Sequence, residues 1–236
     1  MSMPAATRTA GVLGGMGPFA TLAFYQSLLE LTPVHKDWDH IRAIIDSNPH
    51  IPSRSLYHLG RGPSPVPGMV ESCRRLEQYP VDFIVIPCNS ASFYLPEVQA
   101  RVSIPILNIM EITSQALAEQ HPSAGNVVVL GGIVTYENRT YEPYLNHAHM
   151  NYFHHSLEHQ RKAEQLIEML KANTPLEEAG IHFEHLLDGL QRETSLDAVI
   201  LGCTEFGLLI ERDFGIPVVD SSRELARQTV ALAKNI

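Results

Sequence analysis

A chain of 236 residues, 44 % of them hydrophobic and 18 % charged, is long enough to bury a core as one large domain or two small ones, and its composition is globular. Its 17 Lys and Arg against 26 Asp and Glu leave a formal charge of −9, which argues against nucleic acid as a partner, since phosphate binding needs clustered cations. Three cysteines, a start (MSMPAATRTA) without a basic-then-apolar leader and no apolar run near the roughly 18 residues of a membrane span argue against a secreted or membrane protein and point to the cytoplasm.

In chain order, Thr9 to Leu13 predict a first strand that breaks into Gly14, Gly15, Met16, Gly17 and Pro18 before a helix from Phe19 to Leu31. Pro18 suits a first helical turn, where its missing N–H costs nothing. Arg42 to Asp46 predict a second strand, ending in the loop SNPHIPSRS with Arg54. Gly60 to Gly68 are rich in Pro and Gly and read as irregular, with a helix from Met69 to Gln78. The stretch YPVDFIVIPCNSASFY, Tyr79 to Tyr94, has the apolar run of a buried parallel strand ending in small polar residues. Ile104 to Ile109 predict a further strand, and Glu111 to Gln120 a helix.

The order then begins again. Val127 to Leu130 form a strand breaking at Gly131 and Gly132, with a helix through Tyr141; Phe153 to Ser156 are a weaker strand candidate. Helices are predicted from Glu158 to Ala172 and from Pro175 to Gln191, the latter with apolar Ile181, Leu186, Leu187 and Leu190. LDAVILGCTEFGLL, Leu196 to Leu209, repeats the cysteine-bearing strand, and IPVVDSS precedes a closing helix through Lys234. Each cysteine, Cys88 and Cys203, lies six residues after an aspartate, Asp82 and Asp197; Gly14 to Cys88 spans 74 residues and Gly131 to Cys203 spans 72. This predicts an internally duplicated α/β fold of two pseudo-symmetric lobes, each a mainly parallel sheet flanked by helices, residues 1–110 with 216–236 and residues 111–215, with an active site in the cleft between them.

In such sheets ligands sit beyond the carboxyl ends of strands, where Cys88, Asn89, Ser90 and Cys203 fall. Inverting a carbon that bears an acidic hydrogen requires removing a proton from one face and returning one to the other. Two cysteines on opposite walls can do this, because a thiol pKa of about 8.5 lies near working pH. A helix starting after each would favour the thiolate. Cys73, inside the helix GMVESCRRLE, reads as a buried apolar residue.

VLGGMGPFATLAFY, NPHIPSR, PCNSAS, LGCTE and IPVVDSS together resemble, in order and over nearly the whole chain, the aspartate/glutamate racemase family, with its aspartate racemase branch closest. The resemblance implies a cofactor-independent, two-lobed amino-acid racemase acting on aspartate, or alternatively on glutamate or a broad range of amino acids, with homodimerisation as a family expectation. It implies that Cys88 and Cys203 are the catalytic pair, and that Asn89, Ser90 and Thr204 cradle the α-carboxylate. It further implies that Arg54 binds the side-chain carboxylate, that Gly15, Met16 and Gly17 let backbone approach the substrate, and that Thr135 occupies the family's threonine position. A lysine expected after a glutamine falls at Arg161, with Lys162 adjacent. PCNSAS, with Ser92, is in the glutamate style, whereas Glu205 in LGCTE is in the aspartate style; the resemblance implies that Thr135, Arg161, Lys162 and Glu205 are also among the substrate-binding residues.

Other readings carry less. Gly15, Gly17 and Ala20 spell GxGxxA, but Asp46 lies too far on to be the ribose acid of a dinucleotide site. The five histidines from His147 to His159 lack HExxH or CxxC spacing, so no metal is assigned; His182 and His185 read as solvent-facing. Relatives on the same scaffold include hydantoin racemases, maleate isomerases and arylmalonate decarboxylases, and a small-molecule binding protein is the non-enzyme alternative. Retention of both cysteines favours racemisation.

Overall fold

The computed structural model describes residues 8–172, 174–209 and 214–235; the leader reading on the first seven residues lies outside them. The chain divides into two compact units, Met1–Ile109 with Ser222–Ile236, and Met110–Ser221.

The first unit opens with β1 (Ala10–Gly14), fully buried, followed by α1 (Pro18–Leu31) with its proline in the first turn, and β2 (Ala43–Ser47). α2 (Arg54–His58) and α3 (Val66–Leu76) precede β3 (Phe83–Val85), α4 (Asn89–Ser92) and α5 (Leu95–Gln99). The sheet runs β2-β1-β3, all parallel, with Ala10 opposite both Ala43 and Phe83. Leu13, Ile84 and Ile86 pack against Met69, Val70, Cys73 and Leu76 of α3, which joins helix to sheet. Each such side chain contributes about 1.5–3 kcal/mol on burial. Cys73 is fully buried, and burial pushes its thiol up to about 12.

The second unit follows with α6 (Ile109–Gln120), β4 (Asn126–Gly131), α7 (Ile133–Glu137), α8 (Glu142–His147) and β5 (Asn151–Tyr152). Then come α9 (Leu157–Lys171), α10 (Leu176–Glu193), β6 (Ala198–Gly202), a 3-10 turn over Thr204–Leu209 and β7 (Val218–Asp220). The four strands run β5-β4-β6-β7, all parallel. Leu166, Ile167 and Leu170 of α9, with Phe183, Leu186 and Leu190 of α10, pack on Val128, Leu130, Val199 and Leu201. The closing helix α11 (Ser221–Lys234) belongs, from Ser222 on, to the first unit.

The repeated aspartates have a structural cause. Asp82 accepts a hydrogen bond from Thr9 N at 2.6 Å, and Asp197 accepts from Gly125 N and Asn126 N at 3.0 and 2.7 Å. Each carboxylate at the foot of a cysteine strand thus satisfies the entering N–H groups of its neighbour, β1 or β4. The duplication extends to the other side of each cysteine strand. Ile84 N donates to Pro105 O as Val199 N donates to Pro217 O, both at 2.9 Å.

Several predicted elements are corrected. Ile104 to Ile109 form no strand: only a single bridge, Ile84 to Ile106, is made, and α6 begins at Ile109. Val218–Asp220 pairs with β6 and so lies in the second sheet, although residues from 216 on were expected in the first lobe. α3 starts at Val66, because Pro67 in its first turn needs no amide partner. The predicted helix through Tyr141 ends early, as α7 at Glu137, and a separate helix, α8, starts only at Glu142; the edge strand is Asn151–Tyr152 instead of Phe153 to Ser156. On α10 Ile181 is exposed and Phe183 takes the core position; His182 and His185 face solvent.

Candidate functional site

In the first unit, the ends of β1, β2 and β3 lie along one sheet edge. Cys88 follows Ile86 and Pro87 there, is buried, and begins the helical turn of α4. Its carbonyl accepts hydrogen bonds from Ser92 N at 3.1 Å and Ser92 Oγ at 3.0 Å, so Ser92 braces the cysteine's backbone from a buried position. Asn89 is buried and Ser90 half-buried on the same turn. α4 has only four residues, and a 3-10 turn follows Cys203, so neither cysteine is followed by the long helix that would supply a full macrodipole.

The glycine loop serves the chain's own packing first. Gly15 has φ +88°, and a Cβ there would lie 2.4 Å from the backbone N and C of Asn48; at Gly14 it would lie 2.3 Å from Thr21 Cγ2. Thr21 Oγ1 accepts from Gly15 N at 2.8 Å and donates to Gly17 O at 3.0 Å. The expectation of close substrate approach is thus narrowed: at Gly14 and Gly15 the space is taken, and only Gly17 has nothing within 4 Å of its Cβ direction. Met16 is buried, and its carbonyl accepts from Arg54 Nη2 at 3.2 Å.

Arg54 also gives Nη1 to Ile51 O at 3.3 Å and to Pro52 O at 2.9 Å. Its Nε is buried with no hydrogen-bond partner among the described residues. The arginine expected to clamp a substrate carboxylate therefore ties the 48–54 loop to the glycine loop. Above it, Tyr94 Oη reaches Arg54 O at 3.5 Å, and Tyr57 and Phe93 pack on Tyr94 with ring centroids 5.8 and 5.1 Å away.

In the second unit, Cys203 follows β6 directly and is half-buried. Its Sγ donates to Glu205 Oε2 at 3.0 Å, and Thr204 Oγ1 donates to the same oxygen at 3.3 Å. Burial first, and the adjacent Glu205 carboxylate second, push the Cys203 thiol well above its ordinary value; the Lys171 ammonium opposes this weakly. Cys203 is therefore a thiol at neutral pH. Glu205, expected to touch substrate, has a carboxylate oxygen engaged by the thiol and the hydroxyl.

Thr135 is fully buried on α7, against the ends of β4 and β6: a Cβ at Gly131 would lie 3.0 Å from Thr135 Cβ, and one at Gly202 3.6 Å from its Cγ2. Its Oγ1 has no partner among the described residues. Gln160, which the sequence reading used only as a marker, holds this loop. Its Nε2 donates to Gly131 O at 3.0 Å and Glu164 Oε1 at 3.2 Å, while its Oε1 pairs with His155 Nε2 at 3.3 Å. Burial pushes His155 down to about 4, so it is neutral, and Tyr136 Oη donates to its carbonyl at 2.9 Å. Gln160 was missed because, although it shares the buried face of α9 with Ala163, Ile167 and Leu170, a glutamine there adds nothing to a hydrophobic pattern.

Arg161 and Lys162 lie on the exposed side of α9. Lys162 Nζ pairs with Glu158 at 2.7 Å, and Arg161 lines an open groove of roughly 640 Å³ with Glu164, Gln165, Glu168 and Met169. Among the described residues no group of three or more His, Cys, Asp and Glu side chains is placed to hold a metal ion, and no helix is long and apolar enough to cross a membrane.

Two α/β units that share a three-strand order, β2-β1-β3 and β5-β4-β6, each with a cysteine beyond the end of the strand neighbouring its glycine-turn strand, define the class of fold. The Asp/Glu/hydantoin racemase family model matches residues 13–229, and the chain belongs to that family of isomerases. It is 31 % identical over 230 residues, 94 % of this chain and 96 % of the relative, to the broad specificity amino-acid racemase RacX of Bacillus subtilis. Among solved structures it resembles the aspartate racemase of Picrophilus torridus, at 29 % identity and TM-score 0.84, covering 96 % of this chain and 94 % of that one. Glutamate racemase isoform RacE1 of Bacillus anthracis shares the fold at 20 % identity and TM-score 0.66, covering 94 % and 79 %.

Proposed function

We propose that this chain is an amino-acid racemase that needs no pyridoxal phosphate and works through Cys88 and Cys203 as opposed acid and base. The observation that carries this reading is the matched position of the two thiols beyond β3 and β6, in two units built alike. Cys203, held as the thiol by burial and by Glu205, donates a proton to one face of the substrate's α-carbon, and Cys88 accepts the proton from the other; the reverse reaction exchanges the roles. Asn89, Ser90 and Thr204 cradle the α-carboxylate, and Thr135 offers it a buried hydroxyl. Hydroxyl, amide and backbone donors suit this task because they hold an anion without acting as competing bases.

Aspartate is the substrate that the resemblance favours, supported by the 29 % identical aspartate racemase and by Glu205 after Cys203; glutamate comes second. A wider substrate range is favoured by one observation, the engagement of Arg54 with three backbone carbonyls. A cytoplasmic homodimer is the form in which we place the activity, on the resemblance alone.

The test is Cα proton exchange in deuterated water with L- and D-amino acids, for wild type, Cys88→Ala and Cys203→Ala. Deuterium incorporation with inversion in wild type, and loss of inversion in both variants, supports two-base racemisation. Inversion that survives either substitution overturns it. Binding without exchange assigns the chain to the small-molecule binders instead.

A further inference from the structure

We infer that His155 is a positioning residue for the reaction: its side chain and its backbone carbonyl together hold the turn on which Thr135 is seated, and so set how tightly the second unit binds substrate. The inference rests on the racemase reading above and on Thr135 as a donor to the substrate's α-carboxylate.

The need for such a device starts at the sheet. In the first unit the edge strand β2 pairs along the whole of β1, and the amide that follows it, Asn48 N, donates to Gly14 O at 3.3 Å. In the second unit the edge strand β5 has only two residues, opposite Asn126 and Val127, so it ends well short of Gly131. The Gly131 carbonyl takes its hydrogen bond from a side chain instead, Gln160 Nε2 at 3.0 Å. A backbone amide presents only its N–H there, whereas a glutamine amide has a donor end and an acceptor end and must be oriented.

The partners of Gln160 orient it. Gly131 O and the Glu164 carboxylate accept, so the amide nitrogen faces them and Oε1 faces His155 Nε2 at 3.3 Å. An oxygen in that place needs a donor, so the one N–H of the neutral imidazole lies on Nε2. The other ring nitrogen, Nδ1, is buried with no hydrogen-bond partner among the described residues, which leaves Nε2 as the working atom of the ring. His155 has a second hold on the same turn. Tyr136 Oη donates to its carbonyl at 2.9 Å, with the two ring centroids 4.9 Å apart. His155 thus reaches both sides of Thr135, Gly131 through Gln160 and Tyr136 directly. Thr135 itself packs on Gly131 and Gly202, the glycines that end β4 and β6, and Cys203 follows Gly202. A Gly131 turn without its donor therefore shifts the Thr135 hydroxyl relative to Cys203.

A carboxylate contact made equally in the ground state and the transition state is uniform binding, so weakening it raises KM and leaves kcat unchanged. The experiment measures both constants at neutral pH, with whichever of L-aspartate, L-glutamate, L-alanine, L-leucine and L-lysine wild type inverts fastest. In His155→Leu and His155→Asn, KM is expected to rise about tenfold with kcat within about twofold of wild type. His155→Gln, whose amide nitrogen reaches the Nε2 position, should keep KM within about threefold of wild type. Asparagine is the sharper comparison, because it is as polar as glutamine but puts its amide nitrogen near the Nδ1 position. In a Thr135→Val background, His155→Leu should add nothing further to KM. An unchanged KM in the leucine and asparagine variants, with only the folded fraction reduced, overturns the inference and leaves the racemase reading intact. Equal KM values for the glutamine and asparagine variants do the same, as does an undiminished effect in the Thr135→Val background. Should the leucine variant fail to fold, the asparagine and glutamine pair carries the test in both backgrounds. Wild type that inverts none of these amino acids overturns both readings.

Discussion

The Cys203 thiol donates to Glu205 Oε2 at 3.0 Å, an acid held against a carboxylate two residues along the chain. This pairing marks the surroundings of Cys203, whereas at Cys88 it is the backbone carbonyl that a serine, Ser92, braces. A neutral amide in place of the carboxylate removes the charge that disfavours the thiolate.

Glu205→Gln is therefore expected to lower the Cys203 pKa. In a Cys88→Ala background, where Cys73 is buried, the pH dependence of iodoacetamide alkylation reports it, and the profile moves to lower pH. In the otherwise native chain, kcat/KM falls by about 10–100-fold, with the alkaline limb of its pH profile displaced the same way. Because the equilibrium constant of a racemisation is unity, this fall is equal in both directions. An unchanged alkylation profile would show that Glu205 does not control the thiol.

Gly15→Ala is expected to destabilise the first unit by about 2–3 kcal/mol or more, because its φ of +88° disfavours a side chain and the new Cβ would meet the Asn48 backbone at 2.4 Å. Urea unfolding measures this. Gly17→Ala, with open space at its Cβ direction, is the control, and its stability should change by less than about 1 kcal/mol. Equal losses at both positions would contradict the packing account.

His155 gives the second unit a defined acid sensitivity. Its pKa falls from 6.5 to about 4 on folding, chiefly through burial, so between these values the unfolded chain binds the additional proton. Stability is then fully present above about pH 6.5 and is lost as pH falls toward 4, by at most about 3 kcal/mol from this residue. His154, also depressed by burial, adds in the same direction. Urea midpoints from pH 7 to 4.5 should fall, and His155→Gln should flatten that dependence; an unaltered slope would remove His155 as its source.

The cysteine positions were legible because a run such as FIVIPCNS combines a strand's apolar continuity with an abrupt change to small polar residues, and because the second copy repeats it. The repeated aspartates were visible too, although only the structure shows that they satisfy the first amides of a neighbouring strand. Ile104 to Ile109 has a strand's composition, but beside the three-residue β3 it makes a single bridge, whereas the similar IPVVD pairs along the longer β6. Proline misled at α3, where it sits in a first turn. The partners of Arg54, Lys162 and Glu205 were beyond reach of the sequence, since an acceptor is chosen by tertiary geometry and residue type alone does not choose among a substrate, a carbonyl and a neighbouring carboxylate.

Gln160 gives the last prediction. It is fully buried and joins Gly131 O, Glu164 and His155, and so fixes the loop at whose edge Thr135 sits. Gln160→Leu keeps the volume but leaves the Gly131 carbonyl without its donor, an expected cost of about 1–3 kcal/mol. Gln160→Glu also removes that donor when ionised, and places a charge beside Glu164; protonation restores an O–H that can donate. The glutamate variant should therefore recover stability relative to wild type as pH falls from 7 toward 5, while the leucine variant should not. Thermal melts across that range separate the two, and parallel curves for both variants would show that the hydrogen bond to Gly131 is not what Gln160 contributes.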